Sequence, residues 1–270
     1  GHLQLQGYGR PQYVNVQYPW DGHESVRPGQ VPQRFNPVGS YVTWFTLERP
    51  LAEGERVSVS FQGAESAVAV WLNGTYVGYG ADSFTPSEFD LTDALVEGEN
   101  KLAAQVFTWT SGSWLEDQDF YRFSGLFRDV MLYRRPAVHA EDLTVRTEVS
   151  DDLASAVVNV QVALTGAGSV RARIEGVGEL ADDGSGALAV RLHDPRLWSA
   201  EDPYLYDLVI EVLDSSGAVV EVIPQPLGVR RFGIENGVLS INGRRVVFRG
   251  VNRHEFGLNG RVMTRQQTEH

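Results

Sequence analysis

The chain has 270 residues, enough for one large domain or two medium ones with a proper core. Its 35 acidic residues outnumber its 23 basic ones, and a net charge of −12 argues against nucleic acid as a partner. No cysteine is present, which excludes disulfides, thiolate zinc sites and a cysteine nucleophile and fits a cytoplasmic location. No apolar run approaches the roughly 20 residues that cross a bilayer, so we expect no membrane partner.

The first half of the chain is dominated by short runs in which apolar and polar residues alternate. Alternation over 57–61 and 102–106 predicts strands with one buried face each. Asn73-Gly74 lies between two such runs, and this pair favours a type I′ hairpin turn. With long irregular stretches at 18–38 and 108–125, residues 1–136 are predicted to form a jelly-roll-like β-sandwich.

A boundary is predicted near Arg134-Arg135-Pro136: the chain before it is rich in aromatic residues, and the predicted strands after it contain few of them and are evenly spaced. Glycine, aspartate and serine separate the alternating runs, a pattern typical of a small immunoglobulin-like sandwich. We therefore assign residues 137–232 to such a sandwich, and the fold class is all-β. The runs that carry this assignment are 143–149, 158–164, 170–174, 188–192 and 206–212.

The last segment, 233–270, differs from the sandwiches. Asn242-Gly243 predicts a second hairpin that leads into an apolar strand, and residues 266–270 have the composition of a helix start. Both ends of the chain look cut, so we expect it to be a piece of a longer protein.

The densest group of functional-looking residues lies between 108 and 125. Glu116, Asp117 and Asp119 stand there among two tryptophans and three further aromatic residues. Carboxylates that bond hydroxyls, beside aromatic faces that pack on a ring, are typical of neutral sugar sites. The alternative is a solvated acidic loop paired with Arg122 and Arg128, with its aromatic residues in the core.

Two further residues are candidates on chemical grounds. Asn15 offers both a donor and an acceptor, as a vicinal diol requires, although it is also typical of a turn before Pro19. His254 follows an apolar strand and is either a site imidazole or a structural histidine. The sequence contains no Gly-x-Ser-x-Gly elbow and no His-x-x-x-His zinc pattern.

Several motifs, in order along the chain, resemble those of bacterial β-galactosidases of glycoside hydrolase family two. The resemblance spans nearly all 270 residues. It implies two sandwich domains followed by the first hairpin and strand of a truncated catalytic (β/α)8 (TIM) barrel in 233–270. The motifs are Tyr13–Pro19, Trp71–Gly74, Val77–Gly80, Pro86–Leu91, Trp114–Asp119, Arg122–Val130, Pro195–Tyr206 and Arg249–Glu255.

The resemblance also implies roles for single residues. Asp119 corresponds to a residue that contacts galactose hydroxyls and helps to hold a sodium ion. Asn15 and His254 correspond to residues that line the same galactose pocket, while Glu116 and Asp117 support the loop.

The resemblance places the acid/base glutamate, the nucleophilic glutamate and the magnesium ligands downstream of residue 270. We therefore expect part of the galactose pocket and no catalytic residue in this chain, and no hydrolysis by the chain alone. The parent protein is expected to be a retaining, homo-oligomeric enzyme that cleaves terminal β-D-galactosides such as lactose.

Two alternatives remain open at this stage. A free-standing carbohydrate-binding module would use the same loop to bind sugar without chemistry, and would need a complete first sandwich. A related β-glucuronidase or β-mannosidase is the other; glucuronide recognition favours a cation, whereas the cluster around Asp119 is acidic.

Overall fold

The computed structural model describes residues 1–116, 119–184 and 186–269. The chain is nearly all-β, as predicted, and forms two compact units. The first unit comprises Gly1–Arg134 together with the residues from Asn252 onward, and the second comprises Arg135–Val251. The helical segments are short: three 3-10 turns, Gln4–Gln6, Thr92–Ala94 and Ser111–Trp114, and the helix α1, Arg265–Glu269.

The described part of the first unit contains eleven strands. They are β1 Gln12–Val14, β2 Val38–Thr46, β3 Arg56–Phe61, β4 Ala64–Glu65, β5 Ala67–Leu72, β6 Thr75–Gly80, β7 Ser87–Asp90, β8 Glu99–Phe107, β9 Phe120–Arg122, β10 Gly125–Leu126 and β11 Val130–Arg135. Two sheets, β2-β8-β5-β6 and β11-β3-β7, share one hydrophobic core, and two small sheets are formed by β1-β9 and β4-β10.

In strand β3 the predicted alternation of buried and exposed residues is confirmed only for the buried positions. Val57, Val59 and Phe61 are buried, as predicted. Ser58 and Ser60 on the opposite face are buried too, although Glu88 and Asp90, which pair with them across the sheet, are exposed. β3 is the middle strand of its sheet; the Ser58 hydroxyl donates to the Glu88 carboxylate, and the Ser60 hydroxyl accepts from the Gln62 side-chain amide. The alternation marked the core face correctly, but it could not show that these two small polar side chains are covered by their neighbours.

Both Asn-Gly hairpins are confirmed. Asn73 and Gly74 have φ of 53° and 84°, and Asn242 and Gly243 have φ of 51° and 71°. Positive φ at both central positions is the condition of a type I′ turn, which asparagine and glycine tolerate best.

The strands described in the second unit are β12 His139–Val149, β13 Ser155–Thr165, β14 Gly168–Ile174, β15 Gly178–Glu179, β16 Ala181–Asp182, β17 Leu188–His193, β18 Tyr206–Asp214, β19 Val219–Leu227, β20 Phe232–Glu235, β21 Val238–Ile241 and β22 Arg244–Arg245. Two four-stranded sheets, β12-β13-β17-β16 and β15-β14-β18-β19, enclose a second core. This is the immunoglobulin-like sandwich, and a three-stranded sheet, β20-β21-β22, follows it in the chain.

After the second hairpin, residues 246–256 adopt no regular secondary structure. Four of their large apolar side chains, Val247, Phe248, Val251 and Phe256, are exposed. The apolar strand predicted after this hairpin is therefore not formed: a parallel barrel strand takes its hydrogen bonds from neighbouring strands, and none of the described strands pairs with this segment. The predicted helix start is confirmed by α1, whereas the jelly-roll topology and the three domain limits stay predictions.

None of the helices in the described part of the chain is long and apolar enough to cross a membrane.

Candidate functional site

The candidate site is built on the small antiparallel sheet of β1 and β9. Val14 and Phe120 are the last registered pair of this sheet. Asn15 directly follows Val14, and Asp119 directly precedes Phe120, so the two candidates lie at the same end of the sheet. Strand pairing thus brings together two residues that are distant in the sequence.

Asp119 is exposed, and its carboxylate accepts a hydrogen bond from the hydroxyl of Tyr13. That bond, more than any other influence, raises the pKa of the Tyr13 phenol, because it stabilises the protonated form. Asn15 is also exposed. Both side chains are therefore accessible to a polar ligand, whereas Asp117 lies outside the described residues.

His254 reaches the same edge from the C-terminal segment. Its ring stacks on Phe120 with centroids 4.3 Å apart and an interplanar angle of 11°. Two residues further on, Phe256 stacks on Tyr121 at 4.9 Å and 9°. The segment thus lies along β9, and the structure places all three sequence-predicted site residues at one end of this strand.

A charged cluster lies beneath this edge. The guanidinium of Arg261 is 3.3 Å from the carboxylate of Glu65; the Glu65 side chain is buried and that of Arg261 largely so, with relative exposures of 6% and 13%. Arg122 donates to the backbone carbonyl of Glu116, and the Glu116 carboxylate accepts a bond from a serine hydroxyl. Two acids and two arginines thus share a small enclosed volume.

Burial governs the ionisation of this cluster. Desolvation raises the pKa of Glu65 to about 7, although Arg261 and Arg122 oppose the shift. Desolvation likewise raises the pKa of the Glu116 carboxyl. The pKa of Arg261 is lowered, mainly by desolvation, while Glu65 acts in the opposite direction. For both partners of the pair, loss of water thus outweighs mutual attraction.

Neither Glu65 nor Arg261 was foreseen from the sequence. Glu65 left a weak signal, since it is a lone carboxylate inside the apolar stretch 64–72. Such a charge in a buried strand requires a partner. Nothing in the sequence around Arg261 indicates that its guanidinium is buried.

The aromatic residues near the site belong mostly to the core. Trp20 and Trp109 are only 1% and 4% exposed, and their rings meet edge to face at 6.1 Å. Trp114 is half-buried and donates from its indole nitrogen to the backbone carbonyl of Gln30. Of the two interpretations of these tryptophans, the core role fits Trp109.

Nowhere in the described part of the chain do three histidine, aspartate or glutamate side chains converge as metal ligands. Asp119 offers carboxylate oxygens, the ligand type that hard cations prefer, but a single carboxylate does not by itself complete a cation site.

Comparison with known families gives three matches that cover almost the whole chain. Residues 1–136 match the sugar binding domain of glycosyl hydrolases family 2. Residues 138–230 match a second domain described as glycosyl hydrolases family 2. Residues 232–270 match the TIM barrel domain of the same family.

Curated relatives include proteins named β-galactosidase. Those of Halalkalibacterium halodurans and Streptococcus thermophilus are each 48% identical over 98% of this chain. The β-galactosidase large subunit of Latilactobacillus sakei is 42% identical over 94% of it. The chain spans 27% of the length of the first two and 44% of the third, so it corresponds to a part of each relative.

Solved structures with the same fold include two β-glucuronidases. An FMN-binding β-glucuronidase of Facaelibacterium prausnitzii superimposes with a TM-score of 0.74 over 94% of this chain and 45% of its own, at 23% identity. A Bifidobacterium dentium β-glucuronidase complexed with coumarin-3-O-glucuronide gives 0.67 over 83% of this chain and 45% of its own, at 25% identity. At this level of identity we take the likeness as evidence of fold.

Proposed function

The chain belongs to glycosyl hydrolases family 2, and from this premise we propose that its full-length protein hydrolyses terminal β-D-galactosides such as lactose. One observation carries the proposal: relatives named β-galactosidase share 48% of residues across 98% of the chain. The mechanism proposed is retaining. One glutamate attacks the anomeric carbon, and another protonates the leaving oxygen and then activates water. Both glutamates are assigned to the part of the protein beyond this chain.

Within this chain, Asn15, Asp119 and His254 are the proposed galactose-binding residues. Their meeting at one end of β9 supports this role. An exposed carboxylate accepts hydrogen bonds from sugar hydroxyls, and an amide both donates and accepts them. These residues bind and orient the sugar, and none of them is assigned a covalent step.

The placement of charges at the site favours a neutral sugar over a glucuronide. Asp119 repels a sugar carboxylate at close range. The nearby cation Arg261 is buried against Glu65 rather than presented to a ligand. The glucuronidase fold neighbours therefore provide only a weak alternative, and a free-standing sugar-binding module is the other.

Cations, location and assembly follow from the resemblance and remain part of the proposal. Sodium would take Asp119 as one of several oxygen ligands and would polarise a bound hydroxyl, and magnesium would bind outside this chain. The lack of cysteine supports the cytoplasm as the location. We also propose a homo-oligomer for the full-length protein.

The test is Asp119→Asn in the full-length protein, assayed with a nitrophenyl β-D-galactoside. Losing a hydrogen bond to a charged group costs about 1.5–3 kcal/mol, which predicts a roughly 10- to 150-fold rise in KM. Asp93→Asn, an exposed aspartate of the same unit, is the matched control and should leave KM unchanged.

Two outcomes would contradict the proposal. One is faster hydrolysis of the nitrophenyl glucuronide than of the galactoside by the wild-type protein. The other is steady turnover of the galactoside by the isolated 270-residue chain, because the catalytic glutamates are assigned elsewhere.

A further inference from the structure

Arg261 fastens the segment after Asn252 to the strand that begins beside Asp119. One arm of its guanidinium pairs with Glu65 at 3.3 Å, and the other donates to the backbone carbonyl of Tyr121 in β9. The planar fork of arginine suits such a double contact, whereas the point charge of lysine does not.

Aromatic rings enclose the same guanidinium. It lies 5.4 Å from the ring centroid of Phe84, 5.1 Å from that of Phe120 and 5.8 Å from that of Phe123. Phe120 also carries the stacked ring of His254. A single ring of β9 thus contacts both the guanidinium and the histidine.

The chain between His254 and Arg261 is held in a tight turn. Gly257 and Gly260 exchange backbone hydrogen bonds of 2.8 and 3.0 Å. Gly260 has φ of 69°, and a Cβ there would lie 2.8 Å from the ring of His2. A change in the position of Arg261 is therefore transmitted through a short, constrained loop.

We propose that Arg261 is a positioning residue for the galactoside site: by tying the segment to Glu65 and β9, it sets where His254 stands relative to Asp119. This inference rests on the proposed function. It assigns Arg261 no contact with the substrate, because its guanidinium is buried against protein groups.

A closely matched arginine provides the control. Arg134 in the first unit also bridges a carboxylate, that of the partly buried Glu55, and a backbone carbonyl, that of Pro50. Neither partner belongs to β1, β9 or the segment after Asn252. Arg134→Gln removes the same kind of contact without touching the proposed site.

The experiment compares Arg261→Gln, Arg261→Lys and Arg134→Gln in the full-length protein. We expect Arg261→Gln to raise KM and the Kd for a non-hydrolysable thiogalactoside roughly 10- to 100-fold, as expected for a displaced binding group, with a smaller change in kcat. Arg261→Lys should lie between this variant and wild type, and Arg134→Gln should match wild type. Hydrogen exchange of peptide 252–260 should accelerate only in the Arg261 variants.

Unchanged KM and Kd in an Arg261→Gln protein would overturn the inference, whether or not exchange of peptide 252–260 accelerates. If Arg261→Gln does not fold, the same criterion applies to Arg261→Lys. Failure of the proposed function is a separate result, because a wild-type protein that neither binds nor cleaves galactosides refutes that function. In that case, hydrogen exchange of peptide 252–260 in the Arg261 variants still shows whether Arg261 holds this segment in place.

Discussion

Replacing Glu65 by glutamine removes a buried carboxylate while keeping its size and its acceptor oxygen. Its folded-state pKa of about 7 lies well above the 4.5 of an exposed glutamate. Between these values the folded chain holds a proton that the unfolded chain has released. Stability must therefore fall as the pH rises through this window, and glutamine, which cannot ionise, escapes the loss.

The size of the effect follows from the two pKa values. One pKa unit corresponds to about 1.36 kcal/mol, so ionising Glu65 costs the folded state about 3 kcal/mol in full. Between pH 5 and pH 8 the unfolding free energy of Glu65→Gln should gain about 2–3 kcal/mol relative to wild type. Arg122, Arg261 and Glu116 face Glu65 in both proteins.

In the wild-type protein the titration of His2 changes stability in the opposite direction and masks the contribution of Glu65. The ring of His2 is buried against Phe123 and Phe127, and desolvation lowers its pKa to about 4. The unfolded chain therefore binds the extra proton between pH 4 and 6.5, and stability rises with pH there. The two groups oppose each other, so His2→Phe should show a falling profile and Glu65→Gln a rising one.

The assay is denaturant unfolding followed by tryptophan fluorescence at pH values from 5 to 8. Trp198 is the only one of the six tryptophans in the second unit, so the signal comes mainly from the unit that contains Glu65. A difference between Glu65→Gln and wild type that stays constant across this range would refute the reasoning. So would a difference that shrinks as the pH rises.

The remaining predictions concern packing and are measured as changes in unfolding free energy. Leu208→Ala, at a fully buried site, should cost the second unit about 2–5 kcal/mol, whereas exposed Leu205→Ala should cost under about 0.5 kcal/mol. Gly125→Ala forces a Cβ to 2.8 Å from a tyrosine hydroxyl at φ of 108° and should cost about 1–3 kcal/mol; Gly98→Ala, with open space at φ of 86°, should cost less. Trp20→Ala should cost about 3–5 kcal/mol, and wild-type-like stability of this variant would contradict its core assignment.

Features set by neighbouring residues were predictable from the sequence. Asn73-Gly74 forms its turn because these two residues tolerate positive φ wherever they occur. Val158 and Val160 are buried as their alternation indicates. Burial of Ser60 was not predictable, because it depends on the place of β3 between two other strands and on the contact with the Gln62 side chain, which the strand's own pattern does not describe.

The candidate site was predictable only in part. Asn15, Asp119 and His254 were candidates on chemical grounds, and the resemblance implied their roles without placing them relative to one another. Their meeting depends on the pairing of β1 with β9 and on the stacking of His254 on Phe120, both of which join distant parts of the chain. Spacing along the sequence carries no information about such contacts.

The Glu65–Arg261 pair is also informative because it is energetically poor. Desolvation shifts the pKa of each partner against its charged form, so the buried pair costs stability where an apolar pair of similar size would not. A contact that does not stabilise the fold can still select one arrangement, since any displacement of Arg261 leaves a buried carboxylate without its counter-ion. Moving the segment that carries His254 and Arg261 away from Glu65 therefore costs free energy. This is why the test of Arg261 measures substrate affinity, and not stability alone.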